Sequence, residues 1–199
     1  MPETELPNLD EIEEIKGKNF TKRVALATGV FAVVLAIASL GGKDATREAI
    51  LAQQKASDQW AFYQAKVIRE HQYGNEKLHM EAELAERGPN MKPEVRQKFE
   101  ALMAKFGEEE KRYNAEKRNI EEEAKKLEHE RDLNRDKDSY FDYAEVLLQI
   151  AIVMSSISIL SVSRPIFFFS LVLAIVGALL TIGGYTLLFK IPFLLYRGH

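Results

Sequence analysis

Two hydrophobic patterns alternate along the chain. In the first, apolar residues follow one another without interruption by charge. Val24 to Leu40 reads VALATGVFAVVLAIASL, 17 residues extended by Gly41 and Gly42, and two further runs come late, Val146–Val162 and Pro165–Phe189. A bilayer core needs about 20 apolar residues in a helix, so these runs predict transmembrane helices over 20–42, 140–162 and 165–189. The last, 25 residues long, would reach about 37 Å at the helical rise and must tilt or protrude. Only Ser163 and Arg164 separate the second run from the third, which forces a tight hairpin. Pro192 should end the third helix and leave 190–199 as a tail at the interface. Ahead of the first run, 1–19 is an acidic tail with a short amphipathic helix. A rival reading makes the first run a cleaved signal peptide, with Ala36-Ile37-Ala38 as the cleavage site; a 23-residue leader with six acids opposes it.

The second pattern is periodic. Phe99, Phe106, Tyr113, Ile120 and Leu127 recur at intervals of seven, with Val95, Leu102 and Ala124 between them, the spacing of a coiled-coil seam. Upstream, Ala45, Ala49, Ala52 and Ala56 alternate steps of four and three and lead to Trp60, Tyr63 and Val67. Gly88-Pro89-Asn90 and Pro93 are the strong punctuation between them. The segment 43–139 therefore reads as an antiparallel helical hairpin turning near 88–93, with arms of about 68 Å that leave and rejoin one membrane surface. A turn centred near Asn90 pairs residues whose numbers sum to about 180. It sets Ala56 against Ala124, Trp60 against Ile120, Val67 against Tyr113, Gly74 against Phe106 and Leu78 against Leu102. A competing reading takes Tyr73-Gly74-Asn75 as a turn and divides the segment into three shorter helices. The fold class that results is all-α: three transmembrane helices with a long coiled-coil hairpin inserted between the first and second.

Composition alone would suggest a soluble domain, at 29% charged and 46% hydrophobic. Position overturns that, because 42 of the 57 charged residues lie between Lys43 and Asp138. Acids and bases interleave there and the net charge is only −3, so no basic face for nucleic acid is expected. The absence of cysteine excludes disulfides, thiolate metal sites and thiol catalysis. Lys16, Lys18, Lys22, Arg23 and Arg164 flank the spans on one side, against Lys190 and Arg197 on the other. The positive-inside rule then places the N-terminus in the cytoplasm and the hairpin in the periplasm.

Candidate chemistry is sparse. Glu76 and His79 have the Glu-x-x-His spacing of di-iron bundles, but His71, His129 and His199 lack a Glu three residues earlier, so neither a metal nor another cofactor is expected. With no phosphate-binding loop and no nucleophile–base pattern, the chain does not read as an enzyme. Two groups of residues invite interaction instead. Trp60, Phe62 and Tyr63 fall about 27 Å beyond Gly42 on a straight helix, too far for an aromatic belt at the headgroups. They mark either contact with a second subunit or a thicker cluster within the hairpin. Asp142, Glu145 and Gln149, with Ser156 two turns deeper, share a helical face at the start of the second span. Such a stripe either lines an ion or proton path or sits in the headgroup region and hydrogen-bonds a neighbouring helix. Ser139 with Asp142 resembles a capping pair. Ala25 with Gly29, and Gly177 with Ala178, offer small-residue surfaces for close helix approach.

Residues 51–69, LAQQKASDQWAFYQAKVIR, and 140–154, YFDYAEVLLQIAIVM, resemble a bacterial membrane-protein family known as domain of unknown function 4337, most specifically from Lys55 to Lys66. The likeness covers most of the chain apart from the acidic tail. It implies a multi-pass protein of the bacterial inner membrane and carries no activity or catalytic residue with it. The expectation is a scaffold that forms homo-oligomers through the hairpin and the spans; the alternative is a homo-oligomeric ion or proton channel lined by the second span.

Overall fold

The structure, a computed structural model, describes residues 9–187, with side chains from Gly17 onward. The tail 190–199, with Lys190 and Arg197, lies outside the described residues. The protein is all-α, and no strand occurs among the described residues. Helix α1 runs Leu9–Arg87, a 3-10 turn occupies Gly88–Asn90, α2 runs Pro93–Ser161 and α3 runs Arg164–Thr186. Pro89, Pro93 and Pro165 each stand at the start of one of these elements, where a missing N–H breaks no helical bond. Tyr73-Gly74-Asn75 lies inside α1, so the reading as three shorter helices is wrong. A lone Gly costs only about 1 kcal/mol in a helix, too little to break one flanked by good helix formers. Three helical segments are long and apolar enough to cross a membrane.

Contacts divide the chain into two units, one made of α1 through Ala49, α2 from Asp132 and α3, the other of Ile50–Arg131. In the first, α1 buries Val24, Phe31, Ala38 and Ala45, every second turn on one line. From α2 come Tyr140, Phe141, Ala144, Leu148, Ala151, Ser155 and Ser158, and from α3 Ser170, Ala174, Gly177, Thr181, Gly183 and Gly184. Apart from Tyr140, Phe141 and Leu148 the α2 and α3 stripes are small residues, which lets the helix backbones approach closely. Gly177 has this role: a Cβ there would stand 2.8 Å from Leu148. Gly29 differs, since it is exposed, as is Ala25, and nothing lies within 4 Å of its Cβ position. The small surface they make faces outward.

The link between α2 and α3 is as short as a helical hairpin allows. Val162 takes a left-handed conformation (φ 49°). The Ser163 N–H donates to the Ser158 carbonyl (3.2 Å) and the Val162 N–H to that of Ile159 (3.4 Å), a Schellman closure. The Ser158 hydroxyl donates across it to the Ser163 carbonyl at 2.8 Å.

In the second unit the two arms are antiparallel, with partner numbers that sum to between 179 and 188. The expected value near 180 is about one helical turn too low. The 3-10 turn carries the first arm on to Asn90, so the reversal centres between Met91 and Lys92. Ala52, Ala56, Tyr113 and Ala124 are buried. The apolar pair expected at Leu78 and Leu102 is absent, and these residues are 62% and 39% exposed. Trp60 bonds to Glu128, Tyr113 meets Lys66, Arg69 and Tyr73, and Gly74 faces Glu110 while Phe106 packs on Tyr73. Lys77 pairs with Glu110 across the arms at 3.6 Å, while Phe99, Met103 and Phe106 stay half-buried.

Candidate functional site

The α2 stripe divides once it is folded. Asp142, Gln149 and Ser156, seven residues apart, are exposed on the outside of the three-helix unit. Glu145 is half-buried and turns toward α1, its Oε1 lying 3.9 Å from the Cβ position of Gly42. Ser139 donates to the Arg135 carbonyl at 3.2 Å within a continuous α2. It therefore does not cap a helix start, because the helix began at Pro93.

Hydroxyls along the apolar parts of α2 and α3 are spent on their own helices. Ser155 and Ser156 donate to Ile152, Ser161 to Ile157, Ser170 to Phe167, Thr181 to Gly177 and Thr186 to Ile182, at 2.8–3.0 Å. Between α1 and α2, the Thr28 and Ser155 hydroxyls meet at 2.7 Å. Back-bonding of this kind hides a hydroxyl from lipid. Gln149 has no such device. Its carboxamide carries two donors and an acceptor, and it has no hydrogen-bond partner among the described residues.

Behind the stripe stands a clasp that the sequence analysis missed. A Cβ at Gly41 would lie 2.6 Å from the Phe141 ring, one at Gly184 2.9 Å from it, and one at Gly42 3.2 Å from the Phe141 Cβ. One aromatic ring thus fills the space that glycines leave on α1 and α3. Tyr185 meets the ring edge-on at 4.9 Å and donates its hydroxyl to the Ile37 carbonyl at 3.3 Å, while Gly183 faces Tyr140. Thr46 donates to Asp138 at 2.7 Å at the same end. The signal was present in two Gly-Gly pairs near the ends of apolar runs and a Tyr-Phe pair near the start of another.

In the second unit, Trp60 donates its indole N–H to Glu128 (3.0 Å) and packs edge-on against Tyr63 at 5.4 Å, both half-buried. Phe62 points away, 59% exposed, with Lys66 Nζ 5.7 Å from its ring. Near the middle of the arms, Tyr113 stacks on Tyr73 and accepts from Arg69 (3.3 Å) and Arg112 (3.1 Å). The Arg69 bond, with that from Arg112, holds its phenol below the usual value although burial opposes this. Lys66 donates to Glu116 at 2.6 Å and holds that carboxyl low. Burial pushes the Glu70 carboxyl up, but hydrogen bonds from Lys117 and Asn114 outweigh it and the net direction is down. Glu76 and His79 are exposed, and no cluster of three potential metal ligands exists among the described residues.

The family model described as Domain of unknown function (DUF4337) matches residues 20–187. The chain belongs to this family. The match takes in the clasp, the α2 stripe and the Tyr113 network, and it ends at the residue that closes α3, Leu187. No curated protein and no solved structure matches the chain.

Proposed function

We propose that this member of the DUF4337 family is a self-associating scaffold of the bacterial inner membrane. In this reading α1, α2 and α3 cross the bilayer through their apolar runs, the N-terminus is cytoplasmic, and 43–139 forms a periplasmic coiled-coil hairpin. The observation that carries the proposal is Gln149, an exposed carboxamide one turn inside an apolar run with no partner. Lipid cannot satisfy it, whereas a helix of a second copy can.

Because the chain has no cysteine, Gln149→Cys introduces a single thiol. Oxidation in native membranes should give a covalent dimer through this position, and Val172→Cys, on an exposed face of α3, should not. Gln149→Leu should weaken association roughly threefold, as expected for one interhelical hydrogen bond of about 0.6 kcal/mol. A monomer in membranes, or equal cross-linking at both positions, would defeat the proposal.

The exposed line of Asp142, Gln149 and Ser156 also favours a second reading, a homo-oligomeric ion or proton channel with α2 around the pore. Reconstituted vesicles separate the two: the channel requires cation or proton flux that Gln149→Leu reduces, and the scaffold requires association without flux.

A further inference from the structure

At the end of the three-helix unit opposite the clasp, α1 and α3 part to leave an open cleft of about 450 Å³. Its walls are Asn19, Phe20 and Arg23 from α1 and Arg164, Phe167 and Phe168 from α3. Phe20 and Phe167 meet edge-on at 6.0 Å, and Phe168, exposed, continues the aromatic surface. Arg23 and Arg164 are both exposed, and neither has an ion-pair partner among the described residues, a contrast with the paired bases of the second unit. Among the described residues no acid lines the cleft.

The sequence fixes the depth of this cleft. Arg23 immediately precedes the first apolar run and Arg164 lies between the second and third, so in the proposed membrane reading both stand at the edge of the hydrocarbon. Arg164 also opens α3, whose N-cap Ser163 makes no side-chain cap, so the positive end of that helix adds to the field.

We infer that this cleft binds the phosphodiester of an anionic phospholipid. The guanidinium fork matches phosphate oxygens in pairs, the Asn19 amide adds a neutral donor, and Phe167 and Phe168, which follow Arg164 into the third apolar run, lie on the acyl side with Phe20 edge-on to Phe167. The volume falls in the range of small-ligand sites. A free phosphate would gain the same charged contacts but nothing from the rings, which is why the lipid is the preferred source. The inference rests on the membrane reading and not on self-association: a monomer that still selects anionic lipid would sink the scaffold and leave the cleft.

The test is retention of lipid by the full-length protein, measured by native mass spectrometry after exposure to phosphatidylglycerol or phosphatidylcholine. Wild type should prefer phosphatidylglycerol. Arg23→Gln and Arg164→Gln should each cut the preference about fivefold, the effect of one interfacial base. Lys22→Gln removes a base from the same flank that does not line the cleft, and it should change the preference less than twofold. Inorganic phosphate at millimolar concentration should not displace the lipid. Circular dichroism checks that each variant folds, and Arg23→Lys with Arg164→Lys, which keep charge but lose the fork, should give an intermediate preference. An unchanged preference in the Arg→Gln variants, or a Lys22→Gln effect equal to theirs, would overturn the site. Displacement by inorganic phosphate would overturn its assignment to lipid.

Discussion

Two glycines of α1 are chemically identical and have opposite roles. Gly41 leaves room for the Phe141 ring, and a methyl placed there would stand 2.6 Å from ring carbons. Gly41→Ala should therefore destabilise the folded protein by about 1–3 kcal/mol through overpacking, and Phe141→Ala by about 3–5 kcal/mol through the cavity it leaves. Gly29 has nothing within 4 Å, so Gly29→Ala should raise stability by up to about 1 kcal/mol through helix propensity alone. Denaturant unfolding in detergent reads all three, and equal effects of the two glycine substitutions would refute the clasp. Residue type by itself did not separate them. The sequence analysis chose Ala25 with Gly29 as a packing surface from spacing, whereas contact depends on which way the face is turned, and that is set by Val24, Phe31 and Ala38.

The elements were legible where local chemistry decides them. Helix formers and the placement of Pro89, Pro93 and Pro165 set the helix boundaries, and the uncharged runs marked the segments able to cross a membrane. The register of the second unit was legible only roughly, because three residues of 3-10 turn move the partners by about one helical turn on average and nothing in Gly88-Pro89-Asn90 announces that the first arm continues through it. Leu78 and Leu102 are the cost of that omission: they fit a heptad yet are exposed. The middle of the arms, held by the Lys66–Glu116 and Lys117–Glu70 pairs, should be acid-labile. Glu70 and Glu116 are held below their unfolded value of about 4.5, so their stabilisation is complete above that pH and is lost as pH falls through the lowered folded values. Thermal unfolding should show the midpoint dropping below pH 4.5 in wild type, and a flatter profile with a lower neutral-pH midpoint in the Glu70→Gln, Glu116→Gln double variant. Parallel profiles would exclude these carboxylates as the cause. At the α2–α3 link, Val162 bears a branched side chain in a left-handed conformation that suits Gly. Val162→Gly should raise the thermal midpoint, by the equivalent of about 1 kcal/mol, and a lower midpoint would mean that the side chain makes a contact worth more than the strain.

For the whole molecule, the sequence singled out a polar face on α2 but grouped Glu145 with residues that folding turns the other way. The arginine cleft was missed for a different reason. Arg23 and Arg164 were read only as charges that orient the chain, and no one-dimensional pattern brings together residues 141 positions apart. Both features concern what the outer surface of the three-helix unit exposes, a carboxamide on α2 and two guanidiniums on α1 and α3, and each test leaves the other standing.

The Schellman closure at Val162 and Ser163 bears on how α2 and α3 can come apart. With so little chain between them, opening the pair means breaking the Ser163–Ser158 and Val162–Ile159 backbone bonds and the Ser158 hydroxyl bond to the Ser163 carbonyl. The last turn of α2 has to melt before α3 can swing away, so the two helices separate by unwinding and not by bending at a hinge.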